Sequence, residues 1–357
     1  MSDISTKPTP ANPIIRGLLD QLRRHPKRVV FTEGEDIRVI QAAAQLVAEE
    51  AVAPILLGNR ERIKALAAAH GVSLLFIHII DPPHASDFKL FCQRVENMAR
   101  YRSLPIGDSA ELVARPHYFG ALMVQYGQAD AIVGGNQAMP AAYFRALMNT
   151  IKPLPNVPKI FSVMMLTGSH LKHLGGDGVL FFADSGMIPN PDVSQLAAIA
   201  IETGKLARHI LGRKAFVAML SHSTKGSAGT ADARRMAAAT ALAHDEAIKQ
   251  FIDISIEGEI QADVALDPAA AEIKLSAAEA RHSADVLVFP NLDAAHISLK
   301  LLQHVAGAQA YGQLIMGLSR PAAQVSRAAT VETIFGTAAA IAVESIKFRQ
   351  LYPEDDI

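Results

Sequence analysis

The 357-residue chain reads as an α/β protein in which parallel strands alternate with covering helices. Three observations predict this. Short β-branched runs alternate with longer alanine-rich stretches; several of the runs are apolar throughout, as in strands covered on both faces; and many end in glycine or a small polar residue just before the next helix begins. The length suits about two domains.

Along the chain, the strand "RVVFTEG" (28–34) leads to the helix "DIRVIQAAAQLVAEEA" (36–51), and "APILLG" (53–58) to "NRERIKALAAAHG" (59–71). "ADAIVGG" (129–135) leads to "PAAYFRALMNTIK" (140–152). The segment "IKPLPNVPKI" (151–160) follows, and its three prolines stop the helix and stiffen an extended connector, so a domain crossover is placed there. The apolar strands "IFSVMML" (160–166), "VLFFAD" (179–184), "AFVAML" (215–220) and "DVLVFP" (285–290) continue the pattern. A helix "AAHISLKLLQHVAGA" (294–308), the stretch "YGQLIMGLSRP" (311–321) and a last helix from Thr330 to Tyr352 complete the chain.

Lys and Arg number 34 against 35 Asp and Glu, a net charge of -1, which gives no support for a nucleic-acid or anionic-membrane surface. The lone cysteine, Cys92, excludes an internal disulfide framework and cysteine-based zinc, fits a reducing cytoplasm, and is read as a buried small apolar residue. The polar, proline-containing start "MSDISTKPTPANP" is expected to be a loose tail, neither signal nor anchor. No run approaches the roughly 18 apolar residues of a membrane helix.

Strand ends at Gly34, Gly134 and Gly135, Asp184, Ser221 to Ser227, and Pro290-Asn291 mark where an α/β sheet would open onto a ligand. The stretch "MLSHSTKGSAGTADARRM" (219–236) draws most interest: a strand feeding a Gly/Ser loop with one lysine, then a helix. Backbone N–H groups in such a loop can favour an anion, but the stretch is equally compatible with an ordinary connection. It is not a nucleotide P-loop, because Lys225 precedes Gly226. Ser221-His222-Ser223 lacks a nucleophile elbow, "VGGNQAMP" lacks the dinucleotide glycine order, and His170 with His173 lacks the carboxylate partners of a metal motif, so surface histidines are the favoured reading.

Taken in order, "VVFTEGEDIRVIQAA", "ADAIVGGNQAMPAAYFRALMNTIK", "FFADSGMIPNPDVSQLAAIAIETGKLAR", "VAMLSHSTKGSAG", "IEGEIQADVAL", "ADVLVFPNLDAAHISLKLL" and "GLSRPAAQVSRAATVETI" resemble the phosphate acetyl/butyryltransferase family across nearly the whole chain. The resemblance implies a two-domain α/β architecture like that of isocitrate and isopropylmalate dehydrogenases, with an active-site cleft between the domains, and a cytoplasmic homodimer. It places the domains at 1–154 plus 313–357 and at 155–312. It implies reversible transfer of an acetyl or short acyl group between coenzyme A and phosphate by direct thiolate attack, with acyl-CoA and phosphate as substrates, no other cofactor, no metal, no nucleic acid and no membrane.

Residue by residue, the resemblance gives catalytic roles to Arg327 and Ser326, and substrate binding to Arg145, Ser221, Ser223, Lys225, Gly226, Ser227, Asn291 and Lys300; Glu259, Gln261 and Asp263 also match, and His304 is the third catalytic candidate although it departs from the pattern. Other positions depart as well. In the late "DLSRG" motif, the Asp-Leu is Gln324-Val325 and the glycine is Ala328; the acidic residue used as a base falls on Thr333; the "GN" after the last strand is Ala295-His296; and an arginine is replaced by His304. Binding groups are thus kept better than proton-transfer groups. The alternative is an acetyl-CoA-binding regulatory or low-activity protein of the same fold. A nicotinamide-dependent dehydrogenase on that fold is the third and least favoured reading.

Overall fold

The computed structural model describes residues 12–102, 107–168, 171–175, 178–275 and 283–351; the expected loose tail lies largely outside these residues. The described residues of 1–150 and 326–346 form one compact unit and those of 151–325 and 347–351 another.

The first unit contains α1 (Pro13–Arg24), β1 (Lys27–Phe31), α2 (Ile37–Ala48), β2 (Val52–Leu57), α3 (Arg60–Ala69), β3 (His78–Ile80), α4 (Phe88–Arg102), α5 (Ser109–Val113), α6 (Pro116–Gln125), β4 (Ala131–Gly134) and α7 (Pro140–Thr150). Its strands run in the order β3-β2-β1-β4. All pairings are parallel, with Lys27 opposite Val52, Val29 opposite Ala131 and Ile55 opposite His78. Strand β1 is buried over Val29, Val30 and Phe31 and β2 at all but Ala53, which is why these stretches are apolar rather than alternating. Helix α6 is buried from Tyr118 to Val124. It approaches so closely that a Cβ on Gly120 would lie 3.1–3.2 Å from Ile132, Leu57 and Thr32.

The second unit contains β5 (Phe161–Thr167), β6 (Val179–Ala183), α8 (Val193–Leu211), β7 (Ala215–Leu220), α9 (Ala231–Lys249), β8 (Ile254–Ile260), α10 (Ala262–Leu266), α11 (Pro268–Lys274), β9 (Val286–Val288), α12 (Leu292–Val305), β10 (Gln309–Met316) and β11 (Ala322–Gln324). The last helix, α13 (Val331–Leu351), begins in the first unit. The strands of this unit run in the order β11-β10-β5-β6-β9-β7-β8.

Here the all-parallel expectation is corrected. Strands β6, β9, β7 and β8 are parallel, but β5 is antiparallel to both β6 and β10, and β10 to β11. The same pairings move the unit boundary. Residues 313–325 stay in the second unit because β10 runs along β5 as far as Met316 opposite Phe161. Residues 152–154 are held there by Ser319 N donating to Lys152 O (2.8 Å) and Leu154 N donating to Gly317 O (2.9 Å). The chain therefore returns to the first unit at 326 rather than 313.

Helix starts follow side-chain chemistry. Asp192 opens α8 with a capping box, its carboxylate accepting from Gln195 N at 2.8 Å, and the helix ends at left-handed Gly212 (φ 69°). Cys92, on α4, is half-buried rather than buried, and desolvation pushes its thiol up.

The edge between β7 and β9 carries a buried ion pair. Asp285 is fully buried and accepts from both terminal nitrogens of Arg213 (2.9 and 2.7 Å) and from Phe216 N (3.0 Å). Arg213 itself is partly exposed. Removing the arginine leaves a buried charge without its counter-ion, so Arg213→Ala is expected to cost about 3 kcal/mol or more in urea unfolding followed by circular dichroism. A loss below about 1 kcal/mol would mean that the pair behaves as a surface one.

Candidate active site

The loop after β7 answers the anion question from within the protein. Thr224 O accepts from Ser227 N at 3.1 Å, closing a tight turn whose central residues, Lys225 (φ 50°) and Gly226 (φ 81°), both lie in the left-handed region. That is the signature of a type I′ turn, which glycine adopts freely and lysine does not. Beneath the turn lies the carboxylate of Glu259, near the end of β8 and 4% exposed. One of its oxygens accepts from Gly226 N at 2.7 Å and from Ser223 Oγ at 2.9 Å, and its backbone carbonyl accepts from Lys225 N at 3.0 Å.

Four further amides are also used internally. Ser221 N donates to Ile260 O, Ser223 N to Ser221 Oγ, Thr224 N to Ser227 Oγ and Ala228 N to Ser223 Oγ. Thr224 Oγ1 is bonded to Gln261, whose side chain also takes a hydrogen bond from Lys274, and Lys274 pairs with Asp263 at 2.6 Å. Lys225 Nζ pairs with Glu257 at the exposed rim. The one anionic group that a loop amide binds among these contacts is the carboxylate of Glu259, through Gly226 N. The structure gathers Ser221, Ser223, Lys225, Gly226, Ser227, Glu259 and Gln261 into one network.

In the first unit the C-terminal ends of β1 and β4 meet where the strand order reverses direction, the place where open α/β sheets present ligand crevices. Glu33 is buried there and accepts from Gly135 N (2.9 Å) and Thr32 Oγ1 (2.7 Å), with burial pushing its carboxyl up. His117 lies 3.9 Å from it and edge-on to Tyr143; burial, then the charge of Arg115, push the imidazole down.

Asp36 caps α2 through Arg38 N (2.9 Å) and accepts from Asn136 Nδ2 (2.8 Å) and Gln137 Nε2 (3.2 Å). Burial would raise its carboxyl, but the hydrogen bonds and charge of Arg38 outweigh that and hold it below the usual range. Arg327 and Ser326 sit on an exposed turn just before α13, closed by Ala329 N to Ser326 O (2.9 Å), with Ala328 N donating to Ser326 Oγ (3.1 Å). Among the described residues the Arg327 guanidinium has no partner. Thr333 stands three residues after Thr330, which accepts from Thr333 N at 3.2 Å, and the two hydroxyls are 3.1 Å apart. The position that the family fills with an acid is thus occupied here by a helix-capping contact.

Arg145, exposed on α7, lines a pocket of about 220 Å³ with Arg115, Tyr118 and Asn149. Asn291 caps α12, its side-chain oxygen accepting from Ala294 N at 2.9 Å. Lys300 reaches Gln303 at 3.0 Å on the exposed face of that helix, and His304 is exposed in its last turn. Among the described residues no three His, Cys, Asp or Glu side chains could hold a metal ion; His170 lies outside those residues and His173 is exposed.

Sequence reasoning missed the acceptor role of Glu259 and the part played by Asp36 and Arg38. A signal was present in both cases: an acid inside the otherwise strand-like "ISIEGEI", and the D-x-R spacing in "GEDIRV".

Glu259→Ala strands the Gly226 amide and the Ser223 hydroxyl, which should loosen the loop by at least about 1.4 kcal/mol. Trypsin cleavage after Lys225 should then run about tenfold faster; an unchanged rate would show that the carboxylate does not hold the turn.

A family model described as phosphate acetyl/butaryl transferase matches residues 14–343. A phosphate acetyltransferase from Acetivibrio thermocellus is 32% identical over 92% of this chain and 97% of its own. The solved EutD phosphotransacetylase from Staphylococcus aureus is 31% identical, covers 93% of this chain and 98% of its own, and superposes with a TM-score of 0.82. A Salmonella typhimurium structure described as a 4-hydroxythreonine-4-phosphate dehydrogenase, at 13% identity and a TM-score of 0.54 over 89% of this chain and 99% of its own, shares the fold alone, in line with a dehydrogenase-like α/β architecture. With a family model covering nearly its whole length and relatives of matching extent, the chain belongs to the phosphate acetyl/butaryl transferase family.

Proposed function

We propose that this chain catalyses reversible transfer of an acetyl or other short acyl group between coenzyme A and inorganic phosphate, in a ternary complex and without a covalent enzyme intermediate. The observation that carries the reading is the match, over nearly the full length of both chains, to relatives named for that activity. That match does not favour the binding-only alternative. As the sequence resemblance implies, the working form is taken to be a cytoplasmic homodimer.

The thiolate sulfur attacks the carbonyl carbon of the acyl phosphate, the carbonyl oxygen takes up charge, and the carbon–oxygen bond to phosphate then breaks. One proton leaves the thiol and no electrons change hands, so the step calls for no redox cofactor. Arg327, exposed and without a partner among the described residues, is assigned to the phosphate oxygens, which a planar guanidinium can hold in pairs. Ser326 Oγ accepts from Ala328 N and keeps its proton to donate to the carbonyl oxygen. His304, in the last turn of α12, is assigned the thiol proton, which a ring nitrogen can accept.

Arg145, Asn291 and Lys300 are assigned to the anionic and polar parts of the substrates. Ser221 and Lys225 would act from the rim of the loop. Ser223, Gly226 and Ser227 would act by keeping its shape, because their groups are already bonded within it.

The test is direct: incubate the protein with acetyl phosphate and coenzyme A and follow thioester absorbance. Sustained turnover is expected, and a series of acyl phosphates then gives the chain length. Saturable coenzyme A binding with no turnover would return the binding-only reading.

Arg327→Ala should leave the fold intact, since the side chain is exposed, and lower turnover about 100-fold or more, the scale of one transition-state donor. Near-wild-type turnover in a folded variant would remove Arg327 from the site.

Thr333→Asp places an acid at the start of a helix, where it is tolerated. It should raise the rate near neutral pH, where a thiol of pKa about 8.5 is mostly protonated, and matter less near pH 9. The pH–rate profile on acetyl phosphate and coenzyme A checks this. An unchanged or uniformly lowered profile would make His304 or His296 as the base, or a binding-only role, the better reading.

A further inference from the structure

We propose that Arg38 is the positioning residue for Arg327: it sets the backbone of the 326–329 turn and so aims the guanidinium that meets the substrate. The proposal rests on the role assigned to Arg327 above. Arg38 lies in the first turn of α2, and Arg327 lies 289 positions away in sequence.

A guanidinium has five N–H donors in a fixed plane, and Arg38 directs all of them into the protein. Nε donates to Asp36 Oδ1 at 3.1 Å and one terminal nitrogen to Asp36 Oδ2 at 2.6 Å, a two-pronged contact that fixes the plane. The same nitrogen lies 3.5 Å from Asn136 O. The other terminal nitrogen donates to Arg327 O at 2.9 Å and to Ala329 O at 2.8 Å.

With its donors so committed, Arg38 has none left for a substrate, which separates its role from that of Arg327. What it controls is the orientation of two carbonyls in a turn of otherwise exposed residues. Asp36 is in turn oriented by Asn136 and Gln137 and by its capping of α2. The turn is therefore referenced to the ends of β1 and β4 rather than only to its own internal hydrogen bonds.

Lysine cannot reproduce this contact, because a single ammonium has no planar fork to hold a carboxylate and reach two carbonyls at once. Arg38→Lys and Arg38→Gln should each lower kcat for acetyl transfer by about 10- to 100-fold, the cost of misplacing a catalytic group by a fraction of an ångström to an ångström. The KM for coenzyme A should change far less.

The decisive measurement is a double-mutant cycle with Arg327→Ala. If Arg38 acts through Arg327, adding Arg38→Gln to Arg327→Ala should lower kcat by less than about threefold. Multiplying effects would overturn the positioning role while leaving Arg327 in place, whereas near-wild-type activity of Arg327→Ala alone would overturn the reading beneath it.

Should Arg38→Gln fail to fold in urea and circular dichroism controls, Asp36→Asn serves in its place, since asparagine caps a helix as well as aspartate does. It should lower kcat, again with no further loss in the Arg327→Ala background. Unchanged kcat in a folded Arg38→Lys or Asp36→Asn variant would overturn the proposal.

Discussion

Backbone amides at the ends of buried strands need acceptors, and this chain provides many of them with buried carboxylates. An amide left without a partner away from water costs about as much as a lost hydrogen bond, so a loop that must turn sharply under its neighbours needs an oxygen placed beneath it. Glu33 serves Gly135; Asp184 takes hydrogen bonds from Ser162, Gly186, Met187 and Ile188; Asp285 serves Phe216; and Glu259 serves Gly226. In each case the acid belongs to a different stretch of chain from at least one amide it serves. These contacts set loop shape.

The alternation of strands and helices was legible because it is local: "RVVF", "AFVAML" and "DVLVFP" are apolar on both faces and become strands buried on both faces. The antiparallel course of β5 was not legible. Its sequence differs little from that of a parallel strand, and its direction depends on β10, which follows almost 150 positions later. The loop at 221–230 shows the same division. Its glycine, serines and lysine announce a turn, but the acceptor that uses its amides stands on another strand.

The departures from the family pattern take on a physical meaning beside these contacts. Thr333 is placed in a helix cap with Thr330, so the residue standing where an acid is expected has a structural contact of its own. Ser223, Gly226, Ser227 and Glu259 are retained within one hydrogen-bonded network, and changing one would disturb several partners. A proton-transfer group near the start of a helix has fewer such ties and is more easily replaced without harm to the fold.

The division of the chain also sets an order of assembly. The second unit takes 151–325 and the chain from 347 onward, and the first needs 326–346 to be whole. At translation speeds of about 5–20 residues per second, the amino-terminal strands would wait on the order of 10–40 s for the segment that carries Arg327. During that interval the exposed ends of β1 and β4, and the donors of Arg38 that later hold residues 327 and 329, have no native partner there. A nascent chain therefore acquires Arg327 and the carbonyls that Arg38 holds only after 151–325 has been made, and a chain cut short before that segment lacks residues of both units.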